Sequence, residues 1–479
     1  MTVHVARNTA FLTLASIGQK IIAFVYFLFV ARIMMPEATG EYFLAISISV
    51  IFTVVADMGV TPVVIREVAK DPSQAVARLS QALGIKLPLL VISSIGAIAT
   101  GAALGYDADL RYLITLACIV LSLDAVHLLF YGVLRGFQLL RYESFGIFTG
   151  QVVTGIVGGL VLWLHPTLPL LIMALVAGSL TNVSISGFFI VKRLGRQALV
   201  PTLAPVATKK LIWAAIPFAL AALFVKTYSY VDSILISKFL DTTAVGIYSI
   251  AYKFTYAFQF LPLAFTAALY PAMSAVVGKD SEGLERIFLR GMWYMATLAT
   301  PIVLGLWAVA PEVVLLTGRE YAGAAPVLQV LIFVLLPIFL DFPIGSLLNA
   351  SGRQSTKTAI MGATMVINVV LNILLIPRFG ILGAALAGLA CFICMFVLGM
   401  VFVPKILPTY RLRHLLITLV PIFFSGVLML LSVQMMKPIV GWIAVMPLGA
   451  VVYILALLTT RALHKDDVVF LLNVIRQRV

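Results

Sequence analysis

The chain has 479 residues, 62% hydrophobic and 11% charged, with a formal net charge of +14 and a mean hydropathy of +1.11. That balance excludes a soluble globular domain, and recurrent apolar runs of about 18 residues or more predict an all-α polytopic membrane protein. The lysines and arginines punctuate those runs instead of gathering into a basic domain, which speaks against nucleic acid and marks them as topology signals.

About fourteen runs are long enough to cross a hydrocarbon core, at roughly 9–33, 41–64, 82–105, 112–134, 145–164, 168–191, 211–239, 244–276, 289–316, 326–349, 357–377, 380–404, 414–436 and 439–461. The first is too long for a signal-peptide core, carries Lys20 in its middle and has no small-residue cleavage site after it, so it reads as a retained span. Its polar residues Thr9, Thr13, Ser16 and Lys20 share one helix face. Alternate loops differ in charge. Arg66, Lys70 and Arg78, then Arg135 and Arg141, then Lys192, Arg193, Arg196, Lys209 and Lys210 fall on one side, and that side continues to Lys465, Arg476 and Arg478. By the positive-inside rule it is cytoplasmic, which predicts both termini inside a plasma (inner) membrane.

The connection 192–210, with Pro201 and Pro205, divides the chain into halves: an N-lobe at 1–200, a C-lobe at 201–404, and two further helices with a cytoplasmic tail at 405–479. The halves repeat. A shift of 206 positions places Lys20 on Lys226, Arg32 on Lys238, Gly40 on Gly246, Tyr42 on Tyr248 and Ala45 on Ala251 without a gap. Near their ends a shift of about 212 sets Gly150 on Gly362. Repeats separated by an even number of spans are parallel, and the expected fold is two six-helix lobes with a site at their interface.

The second repeat opens on the most polar of the apolar stretches. Lys226, Ser229, Tyr230, Ser233 and Ser237 recur on one helix face, and after a turn at 241–246 so do Ser249, Tyr252, Lys253, Tyr256 and Gln259. An ammonium at mid-bilayer costs roughly 3 kcal/mol even on lenient scales, so it is retained where it lines a cavity or has a partner. The repeat predicts that Lys20 and Lys226 face each other across a pseudo-two-fold axis. Packing through small hydroxyls accounts for serines and threonines but not for matched lysines. Asp57, Asp124, Asp232 and Asp341 are the candidate ion-coupling groups.

Cys118, Cys391 and Cys394 lie in apolar helices and read as small apolar side chains, without a redox or metal role. The histidines His4, His127, His165, His414 and His464 are scattered. There is no Gly-x-x-x-x-Gly-Lys-Ser/Thr loop, so no nucleotide cofactor is expected, and uphill transport would draw on an ion gradient or membrane potential.

The stretches Ala31-Arg32-Ile33-Met34-Met35-Pro36-Glu37-Ala38-Thr39-Gly40-Glu41-Tyr42, Ala56-Asp57-Met58-Gly59, Val231-Asp232-Ser233-Ile234-Leu235-Ile236, Asn368 to Asn372 and Ile376-Pro377-Arg378-Phe379-Gly380 resemble the polysaccharide transporter and O-antigen flippase families. The resemblance runs from about Thr9 to Val403. These families share a superfamily with multidrug extruders and lipid II flippases. What it implies is two lobes in a V around a cationic cavity, alternately open to each side. The implied cargo is a polyprenyl-pyrophosphate-linked oligosaccharide moved to the outer leaflet, with a polysaccharide polymerase and glycosyltransferases as neighbours in the process. Gln19-Lys20, and few arginines in the first helix, depart from the lipid II flippases and make a peptidoglycan precursor a less fitting cargo.

The residue chemistry is compatible with that implication. A pyrophosphate requires paired cations where the dielectric is low, which Lys20, Lys226 and Lys253 can supply. Sugars present apolar faces and hydroxyl rims, which suit Tyr230, Tyr252 and Tyr256 with Ser16 and Gln259 beside them. Two other functions fit less well. An ion-coupled extruder of cationic drugs favours buried carboxylates over lysines in its cavity. A membrane glycosyltransferase or polymerase requires a large extracytoplasmic loop or a clustered acidic site, neither of which the sequence shows.

Overall fold

A computed structural model describes residues 2–203, 205–460 and 462–463. The described residues form fifteen α-helices with short 3-10 turns between them and no strand. In chain order these are α1 (Thr2–Asp57), α2 (Val60–Lys70), α3 (Ala75–Ala103), α4 (Ala108–Gly136), α5 (Leu140–Leu164), α6 (Leu168–Leu194), α7 (Pro205–Phe239), α8 (Thr242–Tyr256), α9 (Phe260–Val276), α10 (Ser281–Val314), α11 (Ala324–Leu331), α12 (Leu335–Ala350), α13 (Gln354–Phe379), α14 (Ile381–Phe402) and α15 (Leu412–Thr459). The first-helix residues Thr9 and Thr13 lie outside the described side chains, and His464, Lys465, Arg476 and Arg478 lie outside the described residues.

Eleven helical stretches among the described residues are long and apolar enough to cross a bilayer. Two of them are folded back on themselves. In α1, Met35 leaves helical geometry at φ 66°, ψ 168°, where the next residue is Pro36; proline lacks an N–H and bars the preceding residue from the helical region. Phe27 and Phe43 then meet with ring centroids 6.4 Å apart, whereas sixteen residues of straight helix would separate them by about 24 Å. In α15 the break is Gly441, at φ 79°, ψ 164°, a region open mainly to glycine. Beyond it a Cβ placed on Gly449 would lie 2.6 Å from Val433 Cγ2. A further span is interrupted between α8 and α9 at residues 257–259. Counted in this way, the described residues supply the fourteen spans expected from the sequence.

By backbone proximity the chain gathers into two compact units, one of residues 1–249 with 369–384 and the other of 250–368 with 385–479. In the first, α1 packs against α3, α4, α5 and α7, and α2 lies against α4 and α7. A buried cluster there includes Val60, Val64, Leu79, Leu129, Phe130 and Ile190. In the second, α10 packs against α12 and α15.

The internal repeat has a direct structural signature inside the first unit. A Cβ on Gly40 would sit 1.8 Å from the Thr242 carbonyl oxygen, and a Cβ on Gly246 would sit 1.9 Å from the Pro36 carbonyl oxygen. The offset of 206 that carries Gly40 to Gly246 also carries Pro36 to Thr242. The contact is therefore reciprocal, as a two-fold relation requires: each repeat presents the same glycine to the same carbonyl of the other.

Candidate substrate and coupling sites

On α1, Ser16 and Lys20 are one turn apart and share a face. On α7, which packs along α1, Lys226 is half-buried and its Nζ lies 5.7 Å from the centroid of the Tyr230 ring, one turn on. The Lys20 and Lys226 ammonium groups are close enough to interact electrostatically. Two like charges in a region of low dielectric repel unless an anion sits between or beside them. Such a pair is therefore chemically suited to an acidic ligand carrying more than one negative charge.

Four further residues of the expected wall fall in the second unit. Tyr252 and Tyr256 on α8 stack with ring centroids 4.2 Å apart, with half-buried Lys253 between them in sequence and Gln259 in the interruption that precedes α9. Not all of the polar face is wet. Ser233 and Ser249 are buried, and the Ser249 hydroxyl donates to the Gly246 carbonyl at 2.7 Å. Serine closes onto its own helix this way inside membranes, so a hydroxyl on the periodic face is not by itself a lining group.

The four candidate coupling carboxylates have different surroundings. Asp232, 5% exposed, accepts from the Tyr248 hydroxyl at 2.9 Å and from the Asn372 amide at 2.8 Å. Asp57, at the end of α1, accepts from the Lys86 ammonium at 2.7 Å and from the Thr61 hydroxyl. Asp124 on α4 accepts from Ser179 Oγ at 2.5 Å, and His127 Nε2 lies 3.1 Å away. Asp341 on α12 lies in electrostatic reach of Lys357.

Lys86 is the residue that sequence reasoning passed over. It lies in the first turns of an apolar run, where a lysine reads as a topology signal, yet it is 1% exposed and bonded to both Asp57 and Thr61. Its partner precedes a break in left-handed geometry, Met58 at φ 45° and Gly59 at φ 72°. A Cβ on Gly59 would lie 2.3 Å from the Ala215 carbonyl oxygen of α7. Two of the histidines meet an acid: His127 meets Asp124 one turn away, and His414 Nδ1 lies 2.6 Å from Glu285 Oε1. The second pairing spans 129 residues and leaves no local spacing from which to read it. Among the described residues no group of histidine, cysteine and acidic side chains could hold a metal ion.

The family described as polysaccharide biosynthesis protein matches residues 5–277, more than half of the chain, and the MatE family matches residues 217–374. Among curated relatives, "Probable flippase AglR" of Haloferax volcanii is 29% identical over 240 residues, which is 49% of this chain and 50% of AglR. The chain thus spans about half the length of that relative. Among solved structures, the lipid II flippase MurJ in an inward closed conformation superposes with a TM-score of 0.76 at 13% identity, covering 96% of this chain and 99% of MurJ. An inward-facing multidrug resistance MATE transporter gives 0.70 at 15% identity, covering 82% of this chain and 96% of that one. At such identities the structural likeness establishes the fold alone.

Proposed function

Because the chain belongs to the polysaccharide biosynthesis protein family, we propose that this multi-pass membrane protein is a flippase moving a polyprenyl-pyrophosphate-linked oligosaccharide from the cytoplasmic to the outer leaflet by alternating access. The observation that carries the proposal is the matched pair Lys20 and Lys226. They occupy equivalent positions of the repeat and come within electrostatic reach in one compact unit. Two cations beside a half-buried tyrosine suit a pyrophosphate followed by a sugar. Ser16 and Tyr230 flank the lysines in the first unit, and within the second unit Lys253, Tyr252, Tyr256 and Gln259 offer the same kinds of group to a glycan. AglR, named a probable flippase, supports the same reading. The orientation follows from the loop charges, with both termini cytoplasmic. Polymerase and glycosyltransferases acting on the same lipid are its proposed partners.

No nucleotide-binding loop is present in the sequence, so the proposed energy source is an ion gradient or the membrane potential. Asp232 is the best supported coupling carboxylate of the four. It is buried and accepts from Tyr248 and Asn372, and Asp57 is ion-paired with Lys86. The test is flipping of a fluorescent polyprenyl-pyrophosphate oligosaccharide in proteoliposomes, comparing the native protein with Lys20→Ala, Lys226→Ala and the double variant. The expected result is flipping by the native protein and its loss in each variant with helicity retained. Flipping that persists in both single variants removes the lysines from the site. A native protein that moves a cationic dye and no lipid-linked glycan favours the drug-extruder reading.

A further inference from the structure

At one end of α4, α5 and α6 the chain assembles a group of aromatic faces, three of them with a cation over the ring. Tyr142 at the start of α5 stacks on Phe189 of α6 with centroids 3.9 Å apart, and Phe189 meets Phe188 edge-on at 5.4 Å. Arg141 lies over Tyr142 at 4.7 Å, Lys192 over Phe188 at 6.0 Å, and Arg193 over Phe137 at 5.2 Å. Arg141, Lys192 and Arg193 are exposed, and Phe188 is 61% exposed. None of the three cations is in an ion pair with a carboxylate among the described residues.

The base of the row is fixed. Arg135 at the end of α4 donates through Nε and Nη2 to both oxygens of Glu143, at 2.6 Å through Nε, and Glu143 is 1% exposed. That pair ties the turn between α4 and α5 and engages the Glu143 carboxylate with Arg135, not with the outer cations. These helices are 25 to 29 residues long, so their ends lie at the height of the bilayer's polar interface. Helix-end carbonyls attract cations on their own account. They do not account for a lipid-facing phenylalanine beneath an exposed lysine, nor for a stacked aromatic row.

We propose that the row formed by Arg141, Tyr142, Phe188, Lys192 and Arg193 is a binding site for an anionic phospholipid of the surrounding leaflet. Its phosphate sits among the cations and its upper acyl chain lies along Phe188. Charge complementarity selects the occupant: an interfacial cluster of cations meets a headgroup with a net negative charge, and the aromatic faces seat the boundary between headgroup and chain. The site is separate from the Lys20 and Lys226 pair and does not depend on what the protein transports.

The test is native mass spectrometry of the full chain in detergent, titrated with phosphatidylglycerol or phosphatidylcholine. The native protein is expected to retain phosphatidylglycerol at least tenfold more tightly than phosphatidylcholine. At about fivefold per basic residue near the surface, the triple variant Arg141→Gln, Lys192→Gln, Arg193→Gln weakens phosphatidylglycerol binding by about a hundredfold. A control triple, Lys70→Gln, Lys279→Gln, Arg413→Gln, removes the same charge elsewhere and leaves it unchanged. Phe188→Leu, which keeps every charge, weakens it about fivefold and stands in if the triple variant loses helicity. Equal retention of the two lipids overturns the proposal, as does equal loss in the two triples. So does occupancy of the native site by geranylgeranyl pyrophosphate but not by phosphatidylglycerol.

Discussion

Replacing either glycine of the reciprocal contact with alanine tests the repeat more directly than any change at the lysines. A methyl on Gly40 lands 1.8 Å from the Thr242 carbonyl oxygen, and one on Gly246 lands 1.9 Å from that of Pro36. To reach even 3.0 Å the two backbones must part by more than 1 Å, and no rotamer change relieves a clash with main chain. Overpacking by one methyl costs about 1–3 kcal/mol, and a backbone neighbour on both sides puts each single variant near about 3 kcal/mol. The two sites share one gap. Once the first methyl has opened it, the second enters at lower cost, so the double variant should lose about 4 kcal/mol rather than about 6, a coupling of about 2 kcal/mol. Gly159, with nothing within 4 Å of its Cβ direction, is the control: Gly159→Ala should gain up to about 1 kcal/mol from helix propensity. Equilibrium unfolding in mixed detergent and dodecyl sulfate micelles measures all four. Additive losses in the double variant, or a Gly40→Ala loss no larger than about 0.5 kcal/mol, would refute the reciprocal contact.

Three further changes probe the buried charges by the same unfolding measurement or by transport. Lys86→Met leaves Asp57 with Thr61 alone and should cost about 3–5 kcal/mol, whereas Lys86→Met with Asp57→Leu should recover most of it, because removing both partners removes the stranded charge; no recovery in the double variant would argue against the ion pair. Arg135→Gln strands the buried Glu143 carboxylate and should cost about 2–3 kcal/mol, with Glu143→Gln in the same chain restoring about half; a neutral Arg135→Gln would show that the pair carries no net stability. Asp232→Asn keeps the shape and an acceptor for Tyr248, so unfolding should move by less than about 1 kcal/mol, while gradient-driven flipping falls tenfold or more in proteoliposomes; unchanged dependence on the gradient would remove Asp232 from coupling.

The spans were legible in the sequence because apolar length alone sets them. Even the two helices folded at Met35 and Gly441 read as two runs each, 9–33 with 41–64 and 414–436 with 439–461. The repeat was legible in Lys20, Gly40 and Tyr42, since a gapless offset needs no structure to be seen. What stayed hidden was pairing at long sequence separation. Asp232 and Asn372 are 140 residues apart, and neither has a local spacing that points to the other. Lys86 was hidden for a different reason: a lysine near the mouth of a span looks the same whether it reaches outward to water or inward to an acid. Ser249 reads in the opposite sense, because period alone cannot separate a hydroxyl that lines a cavity from one that bonds back to its own helix.

The repeat also explains why Asp232 stands out among the acids. Under the offset of 206, Asp232 corresponds to Tyr26, Ser233 to Phe27, Tyr248 to Tyr42 and Ser249 to Phe43. In the first repeat these places are closed by rings: Phe27 meets Phe43, and the Tyr26 ring occupies the space of an absent side chain on α5, where a Cβ on Gly158 would lie 2.3 Å from its Oη. In the second repeat the same places hold a carboxylate and two small hydroxyls, and Asn372 on α13 donates to the carboxylate. Tyrosine is kept at 42 and at 248, while the group beside it changes from a ring at 26 to a carboxylate at 232. Packing alone would favour the ring in both, since a buried carboxylate costs free energy that its hydrogen bonds only partly return. A fold that builds one site twice, fills it with tyrosine once and leaves it acidic once has retained the acid against that cost, and a proposed role in coupling supplies the reason.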